Sequence, residues 1–246
     1  MPRRAFTKFV DTRIVDRDGW LQLVTPSFTR GGLNEVAHCA LDLSAAEMDR
    51  VIDEAIAQYT ERGLRFRWTV APDSRPADLR ERLAVRGLEH TVGVAQVRDT
   101  RPLGPPIVPP ETPIVVRDVD TGNLDAYADA FAQGWGAQRA PASDAYYRAL
   151  LDEPATNRLF VAYVGGAPAG AASYVLFPRS AYLLGGVVLP AFRRRGVYRE
   201  LVAARIDDAR ARGSRIVTSH SIASTSAPIL EHLGFRAVAQ LDVYRG

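Results

Sequence analysis

The sequence predicts an α/β fold built from two copies of one unit, with the N-terminal copy abbreviated. Strand-like and helix-like segments alternate along the chain, which is typical of α/β proteins. A proline-rich segment divides the 246 residues into halves of roughly 100 and 130. Both halves present their elements in a similar order, and their helices end at matching glycines: Gly63 corresponds to Gly213, and Gly87 to Gly234.

The N-terminal half begins with strands and continues with alternating helices and strands. Alternating apolar residues predict a hairpin in TRIVDRDGWLQLVT and a third strand in NEVAHCALDL. A helical pattern follows over residues 45–62 and ends at Gly63, since glycine readily adopts the left-handed conformation that ends helices. The remaining elements are strand RFRWTV, helix PADLRERLAVRGL and strand HTVGVAQVRD.

The segment between the halves, TRPLGPPIVPPETP, holds six prolines. Proline lacks an amide hydrogen and favours extended backbone, so a semi-rigid linker is expected over residues 101–112. We therefore expect an N-terminal domain at 1–100 and a C-terminal domain at 113–246.

The C-terminal half repeats the pattern at greater length. Its first elements are a strand and two helices, expected at Ile114–Val119, Leu124–Gln133 and Ala145–Leu151. Two strands joined by Gly165 and Gly166 follow in RLFVAYVGGAPAGAASYVLF. The last elements are a strand over 181–189, a helix over 197–212, strand RIVTSHS, helix SAPILEHLGF and strand RAVAQLDVY.

Composition excludes several classes of protein. Hydrophobic residues make up 47% and charged residues 24% of the chain, as in an ordinary globular protein. Arginine supplies all basic residues except Lys8, yet the net charge is only +3 and the two signs are interspersed. A nucleic-acid partner is not expected, because such proteins concentrate basic residues on one face or tail.

The sequence also argues against a membrane or a metal partner. No apolar run approaches the ~20 residues of a transmembrane helix, and Lys8, Asp11 and Arg13 interrupt any signal-peptide core. Cys39 is the only cysteine, and the four histidines lack metal-ligand spacing. We therefore expect a cytoplasmic protein without a bound metal.

The stretch LPAFRRRGVYREL places three arginines where a strand turns into a helix. A helix N-terminus already carries partial positive charge, and this one has no Ser, Thr, Asp or Asn to cap it. The corresponding helix of the N-terminal half begins with SAAE, in which Ser44 and Glu47 can form a capping box. Gly196 would let a ligand approach the free amides, so the sequence predicts a bound phosphate or pyrophosphate. The alternative is that water caps the helix and the arginines are solvated.

At this point the chain resembles the GCN5-related N-acetyltransferases (GNAT proteins), whose signature after a strand is V-x-P-x-x-Q/R-x-x-G-x-G/A. Here Val188, Pro190, Arg193 and Gly196 match, whereas Tyr198 replaces the small last residue. The LGF run at 233–235 supports the resemblance, which covers roughly 113–246. The N-terminal half looks like a degenerate copy, as in tandem members of the family. The resemblance implies a mixed, mostly antiparallel sheet flanked by helices in each copy.

The resemblance further implies acetyl transfer from acetyl-CoA to an amine by direct attack in a ternary complex. The strand before the signature would align the pantetheine, and the turn would hold the pyrophosphate. The implied CoA-binding residues are Gly186, Val187, Val188, Arg193, Arg194, Arg195, Gly196, Val197 and Tyr198. The Val188 amide would donate to the thioester carbonyl oxygen, where negative charge develops. Tyr198 would shift the phosphate, stack near the adenine or join the core, and its place on the apolar stripe favours the core.

Acid and base are less clearly marked. Leu230 occupies the position of the family's usual tyrosine acid, and AYLLGGVV lacks a carboxylate. His220 is the best remaining base, since its ordinary pKa of about 6.5 suits proton removal from an ammonium; a structural histidine is the alternative. Glu35 would serve if its strand lined a cleft between the halves, and a base acting through water is equally open. Ser221, Ser226 and Tyr244 are weaker candidates for proton relay.

The loop AQGWGAQRAP is expected to border the acceptor site. Trp135 and Arg139 are candidate substrate contacts, with hydrophobic packing as the alternative for Trp135, and Tyr146 and Tyr147 are expected in the core or at the rim. The favoured acceptor is a small-molecule amine, and both a monomer and a homodimer are left open. A non-catalytic acyl-CoA binding module, and a phosphate or nucleic-acid binder, remain as competing hypotheses.

Overall fold

The structure, a computed structural model, describes residues 11–106 and 110–246. The first ten residues, on which part of the argument against a signal peptide depends, lie outside the described residues. The same holds for residues 107–109 of the predicted linker.

The described residues form strands and helices in nearly the predicted order. The strands are β1 (Arg13–Arg17), β2 (Trp20–Val24), β3 (Arg30–Cys39), β4 (Arg65–Val70), β5 (Glu89–Asp99), β6 (Ile114–Asp118), β7 (Asn157–Val164), β8 (Ala167–Leu176), β9 (Ala181–Val188), β10 (Ile216–Ile222) and β11 (Arg236–Arg245). The helices are α1 (Ala45–Thr60), α2 (Leu79–Ala84), α3 (Leu124–Gly134), α4 (Pro141–Leu151), α5 (Val197–Ala211) and α6 (Ser226–His232).

Two helices differ from their predicted extents by more than three residues, whereas the others differ by three or fewer. The helix α2 is shorter than predicted, because Pro76 accepts a turn hydrogen bond from Leu79 and regular helix begins only there. The helix α4 is longer and starts at Pro141, since proline fits the first turn of a helix, where its missing amide hydrogen costs nothing.

The chain forms two compact units. The first comprises the described residues up to Ala95 together with Ser221–Pro228 and Ala237–Gly246, and the second comprises Gln96–His220 with Ile229–Arg236. The end of β11 belongs to the first unit because it pairs antiparallel with β4. The units therefore divide the chain differently from the linker at 101–112, and the predicted domains at 1–100 and 113–246 remain a prediction about the repeat.

In the first unit, strands β1, β2, β3, β4 and β11 are neighbours in that order. The pair β3–β4 is parallel, whereas β1–β2, β2–β3 and β4–β11 are antiparallel. Apolar side chains of α1 pack on this sheet around Trp68, which is fully buried and meets Trp20 edge to face at 5.5 Å.

In the second unit, strands β10, β9, β8, β7 and β6 are neighbours in that order. Only β9–β10 is parallel among these pairs. The apolar face of α5 packs against the sheet through Leu201, Val202, Ile206 and Ala209, as its stripe predicted. A mixed, mostly antiparallel sheet flanked by helices is thereby confirmed. None of the described helices is long and apolar enough to cross a membrane.

Candidate active site

Strand β9 loses one of its two neighbours halfway along its length. Its parallel pairing with β10 runs from Ala181 opposite Val217 to Leu183 opposite Ser219. Beyond Leu183, β9 pairs with β8 alone among the residues that the structure describes. One edge of β9 is thus open from Leu184 to Val188.

The backbone of this open edge presents hydrogen-bonding groups. The Leu189 amide donates to the carbonyl of Ala169 on the β8 side at 2.9 Å. Because amides along an antiparallel strand alternate in direction, those of Val188 and Gly186 point away from β8. The edge therefore offers two donors, the predicted Val188 and also Gly186.

A bulge and a glycine shape the strand just before these donors. The register between β8 and β9 shifts at Ala172 and Ser173. Opposite this shift, Gly185 has φ +48°, and a Cβ there would lie 2.9 Å from the Phe131 ring. A larger residue at 185 would therefore force the strand away from α3.

The turn between β9 and α5 is conformationally strained. It contains a short 3-10 turn over Pro190–Phe192, followed by Arg194 at φ +62° and Gly196 at φ +88°. An arginine at positive φ is unfavourable by itself, and such strain concentrates at functional sites.

The N-terminus of α5 has free amides and unbalanced cations. No side chain caps it, and the one acid of its first turn, Glu200, pairs with Arg199 at 2.5 Å. Arg193, Arg194 and Arg195 are all exposed, and no ion pair between them and a carboxylate occurs in the described part of the chain. The uncapped helix end predicted from the sequence is confirmed.

The corresponding helix of the first unit closes its own end. Ser44 accepts from the Glu47 amide at 3.4 Å, and the Glu47 carboxylate accepts from the Ser44 amide at 2.9 Å. The end of β3 is also occupied, because the Arg75 amide donates to the Cys39 carbonyl and Arg75 forms a bridge with Ala40. This copy therefore lacks both the free amides and the free edge.

His220 lies one residue beyond the last pair of β10 with β9. Its side chain is exposed, and its ring meets that of Tyr182 edge to face at 5.3 Å. The predicted base is thus at the point where the two strands separate.

Glu35 is bound up in a buried ion pair. It is 1% exposed, and its two carboxylate oxygens accept from Arg67 and Thr69, each at 2.7 Å. Both oxygens are already hydrogen-bonded within the first unit, which is typical of a structural carboxylate.

The weaker candidates for proton relay are also engaged. Ser221 donates to the carbonyl of Val94 at 3.2 Å, and Ser226 accepts from the Ile222 amide at 2.9 Å. Tyr244 is buried in the core of the first unit, and burial raises its pKa.

The loop after α3 lies beside the open strand. A Cβ at Gly134 would fall 2.5 Å from Val187, so this glycine lets the helix end approach β9 closely. The next residue, Trp135, is 56% exposed. The predicted acceptor contact therefore presents an aromatic surface near the candidate site.

Arg139, the other predicted acceptor contact, is surrounded by carboxylates. It pairs with Asp125 at 2.5 Å, Asp129 at 3.3 Å and Asp144 at 2.7 Å, and the hydrogen bonds to these carboxylates raise its pKa. Its guanidinium is therefore occupied in joining α3 to α4. Tyr146 and Tyr147, expected in the core or at the rim, are both buried.

Two side chains lie against Gly186 from the α5 side. A Cβ at Gly186 would fall 3.1 Å from the Tyr198 ring and 3.4 Å from the Arg205 guanidinium. Arg205 is not among the residues predicted from the sequence, although its position on the buried stripe of α5, between Leu201 and Ala209, is a signal that marks it. Tyr198 is half-buried and lies beside β9.

Comparison with known proteins shows which family part of the chain resembles. Residues 124–235 match the family model described as the acetyltransferase (GNAT) family. A search of curated proteins gave no match.

Solved structures are similar over almost the whole chain. A GCN5-related N-acetyltransferase from Kribbella flavida has 15% identity and a TM-score of 0.68, covering 96% of this chain and 89% of that one. A functionally unknown conserved protein from Staphylococcus epidermidis has 14% identity and a TM-score of 0.67, with coverages of 96% and 94%. A tandem GNAT protein from the clavulanic acid biosynthesis pathway has 15% identity and a TM-score of 0.61, with coverages of 92% and 78%. The similarity supports a tandem arrangement of the fold.

Proposed function

We propose that the chain transfers an acetyl group from acetyl-CoA to the primary amine of a small molecule, and the match of residues 124–235 to the GNAT acetyltransferase family model supports this proposal. The observation that carries the proposal is the contrast between two helix ends. The N-terminus of α5 has free amides and three exposed arginines, whereas that of α1 is closed by Ser44 and Glu47.

In this proposal the CoA pyrophosphate binds the turn at residues 193–198. Its negative charge would balance Arg193, Arg194 and Arg195 and would satisfy the free amides of α5. Gly196 has room for the ligand, because a Cβ there would meet, among the described residues, Ile114 alone, at 3.6 Å. The pantetheine would continue along the open edge of β9, where main-chain groups of Gly186 and Val188 face it.

The reaction would be a direct attack within a ternary complex. The amine nitrogen bonds to the thioester carbon, and the Val188 amide stabilises the oxygen as it becomes negative. The carbon–sulfur bond then breaks and the thiolate leaves. His220, at the separation of β9 and β10, or a water molecule takes the proton that the amine gives up.

For the acceptor we propose contact with Trp135 but not with Arg139. Trp135 is exposed beside the Val187 strand, and an aromatic face suits an aliphatic or cationic amine. Arg139 is proposed to be structural, because three carboxylates already bind it. Glu35 is proposed to be structural for the corresponding reason.

A non-catalytic acyl-CoA binding module is the second candidate, and one observation favours it. Leu230, which occupies the place of the family's usual acid, is 1% exposed and packs in the core of the second unit. A transferase would therefore need another group to stabilise the leaving thiolate, whereas a binding module would need none.

Release of CoA thiol separates the two candidates. The protein would be incubated with acetyl-CoA and a panel of small primary amines, and free thiol would be measured against a no-enzyme control. We expect thiol release with at least one amine, together with acetylated amine in equal amount. Measurable CoA binding without release for any amine would favour the binding module, and no CoA binding would refute both.

A further inference from the structure

Arg205 is a buried cation that has no counter-ion among the residues that the structure describes. Its side chain is on α5 and the residue is 2% exposed. Its guanidinium donates to the carbonyls of Leu201 at 2.9 Å and Ser173 at 3.2 Å, both of which are neutral. No carboxylate pairs with it in the part of the chain that the structure describes, and burial lowers its pKa. Because burying an unpaired charge is costly, this arrangement indicates that negative charge develops beside Arg205.

Tyr198 connects this cation to the open strand. Tyr198 lies next to Arg205, because both side chains approach the same point at Gly186, the Tyr198 ring to 3.1 Å and the Arg205 guanidinium to 3.4 Å of a Cβ there. Arginine can only donate hydrogen bonds, so Arg205 does not compete for the hydroxyl hydrogen of Tyr198, which remains available for another acceptor. Tyr198 is half-buried whereas Arg205 is not accessible, so Tyr198 is the member of the pair that a bound molecule can reach.

The pair is located where the reacting group would bind. Both side chains lie against Gly186, whose backbone faces the open edge of β9. Any side chain at position 186 would separate them from the strand.

We propose that Tyr198, held in place by Arg205, donates a hydrogen bond to the sulfur of the CoA thioester and stabilises the thiolate as it leaves. This inference rests on the proposed function. As the nitrogen–carbon bond forms and the carbon–sulfur bond breaks, the sulfur takes the electron pair and shares the Tyr198 proton. The amine proton passes to His220 or water. Tyr198 is thereby a catalytic residue and Arg205 a positioning residue.

Other titratable groups lie near Tyr198 and Arg205. Tyr127 of α3 interacts with Arg205, but its burial raises its pKa well above the ordinary value, so it stays neutral. His220 on β10 and the arginines of the turn also bear on CoA binding. The test therefore needs a ligand that differs from CoA only at the sulfur.

The experiment compares the affinities of CoA and of desulfo-CoA, which lacks the sulfur, by titration calorimetry. The measurements run from about pH 6 to pH 9, a range that includes the pKa of a free thiol, about 8.5. A site that prefers the thiolate binds CoA more tightly as the thiol ionises. For the unmodified protein we expect the CoA affinity, relative to desulfo-CoA, to rise about tenfold across this range, equivalent to one unit of thiol pKa.

Three variants assign the effect to the pair. Tyr198→Phe keeps the ring against Gly186, and Arg205→Met fills the same space without charge, so both should fold. We expect each to abolish the rise with pH of the CoA affinity relative to the desulfo-CoA affinity, and Arg205→Lys to restore part of that rise. With the amine found active above, Tyr198→Phe should lower kcat at least tenfold.

The outcomes distinguish a failure of the thiolate role of Tyr198 from a failure of the acetyltransferase function. If CoA and desulfo-CoA bind the unmodified protein with the same pH dependence, or if Tyr198→Phe retains the rise, the thiolate role is wrong and the acetyltransferase proposal stands. If neither ligand binds, the proposed function fails and this inference fails with it.

Discussion

Gly196 has a backbone conformation that favours glycine and lies where the negative charge of the diphosphate would bind. Its φ of +88° favours glycine, and its amide opens α5 where the diphosphate would bind. We predict that Gly196→Asp abolishes CoA binding, because the carboxylate blocks the amides and repels the phosphates. Titration calorimetry would measure this loss.

The matched control for this prediction is Gly213→Asp at the other end of the same helix. Gly213 has φ +85°, so the same residue type meets a similar backbone strain away from the turn. We expect Gly213→Asp to bind CoA normally. Equal CoA affinities for the two folded variants would contradict the assignment of the turn as the diphosphate site.

Arg139 is a predicted acceptor contact whose three ion pairs favour a structural role instead. We predict that Arg139→Gln lowers the melting temperature by no more than a few degrees, since surface ion pairs are weak, and leaves the KM for the amine unchanged. The pKa of Asp125 is lowered by its hydrogen bond to Arg139. A depressed folded pKa gives stability that is present above the unfolded value of about 3.9 and is lost as the pH falls. The difference from the unmodified protein should therefore shrink below about pH 4.

Arg148→Gln is the control for that measurement. Arg148 is exposed on α4 and influences Asp125 only through a weaker long-range attraction. A raised KM for the amine in Arg139→Gln, but not in Arg148→Gln, would show that Arg139 contacts the acceptor.

At the scale of elements, the two sister helices differ in how their N-termini are completed. We predict that Ser44→Ala, which removes the acceptor of the capping box, lowers the free energy of unfolding by about 1 kcal/mol. CoA affinity should not change, because this cap lies in the first unit. Denaturant unfolding and calorimetry would measure the two quantities, with Ser44→Thr, which keeps the hydroxyl, as the control. A change in CoA affinity in Ser44→Ala would indicate that CoA binds at the N-terminus of α1 and not at that of α5.

Local signals made most elements predictable, whereas the site depends on contacts that are distant in sequence. Gly213 ends α5 and Gly165 with Gly166 forms the β7–β8 turn, each at positive φ as their type favours. The separation of β9 from β10 after Leu183 follows from pairing between distant segments, so no local pattern marks it. Arg205 was missed because an arginine on a helix usually lies in solvent, and only packing against Gly186 shows that it does not.

At the scale of the whole molecule, the repeat predicts one ligand rather than two. The first unit has a closed helix end at Ser44 and an occupied strand end at Cys39, whereas the second has neither. We therefore expect calorimetry to give one CoA per chain. At a CoA concentration a hundred times its Kd, binding to the folded state alone adds about 2.7 kcal/mol to the free energy of unfolding. Gly196→Asp should remove both the binding and the added stability, while Ser44→Ala should keep both. A stoichiometry of two, or stabilisation that survives Gly196→Asp, would show that the closed copy binds CoA after all and that helix capping does not decide which half of the repeat is active.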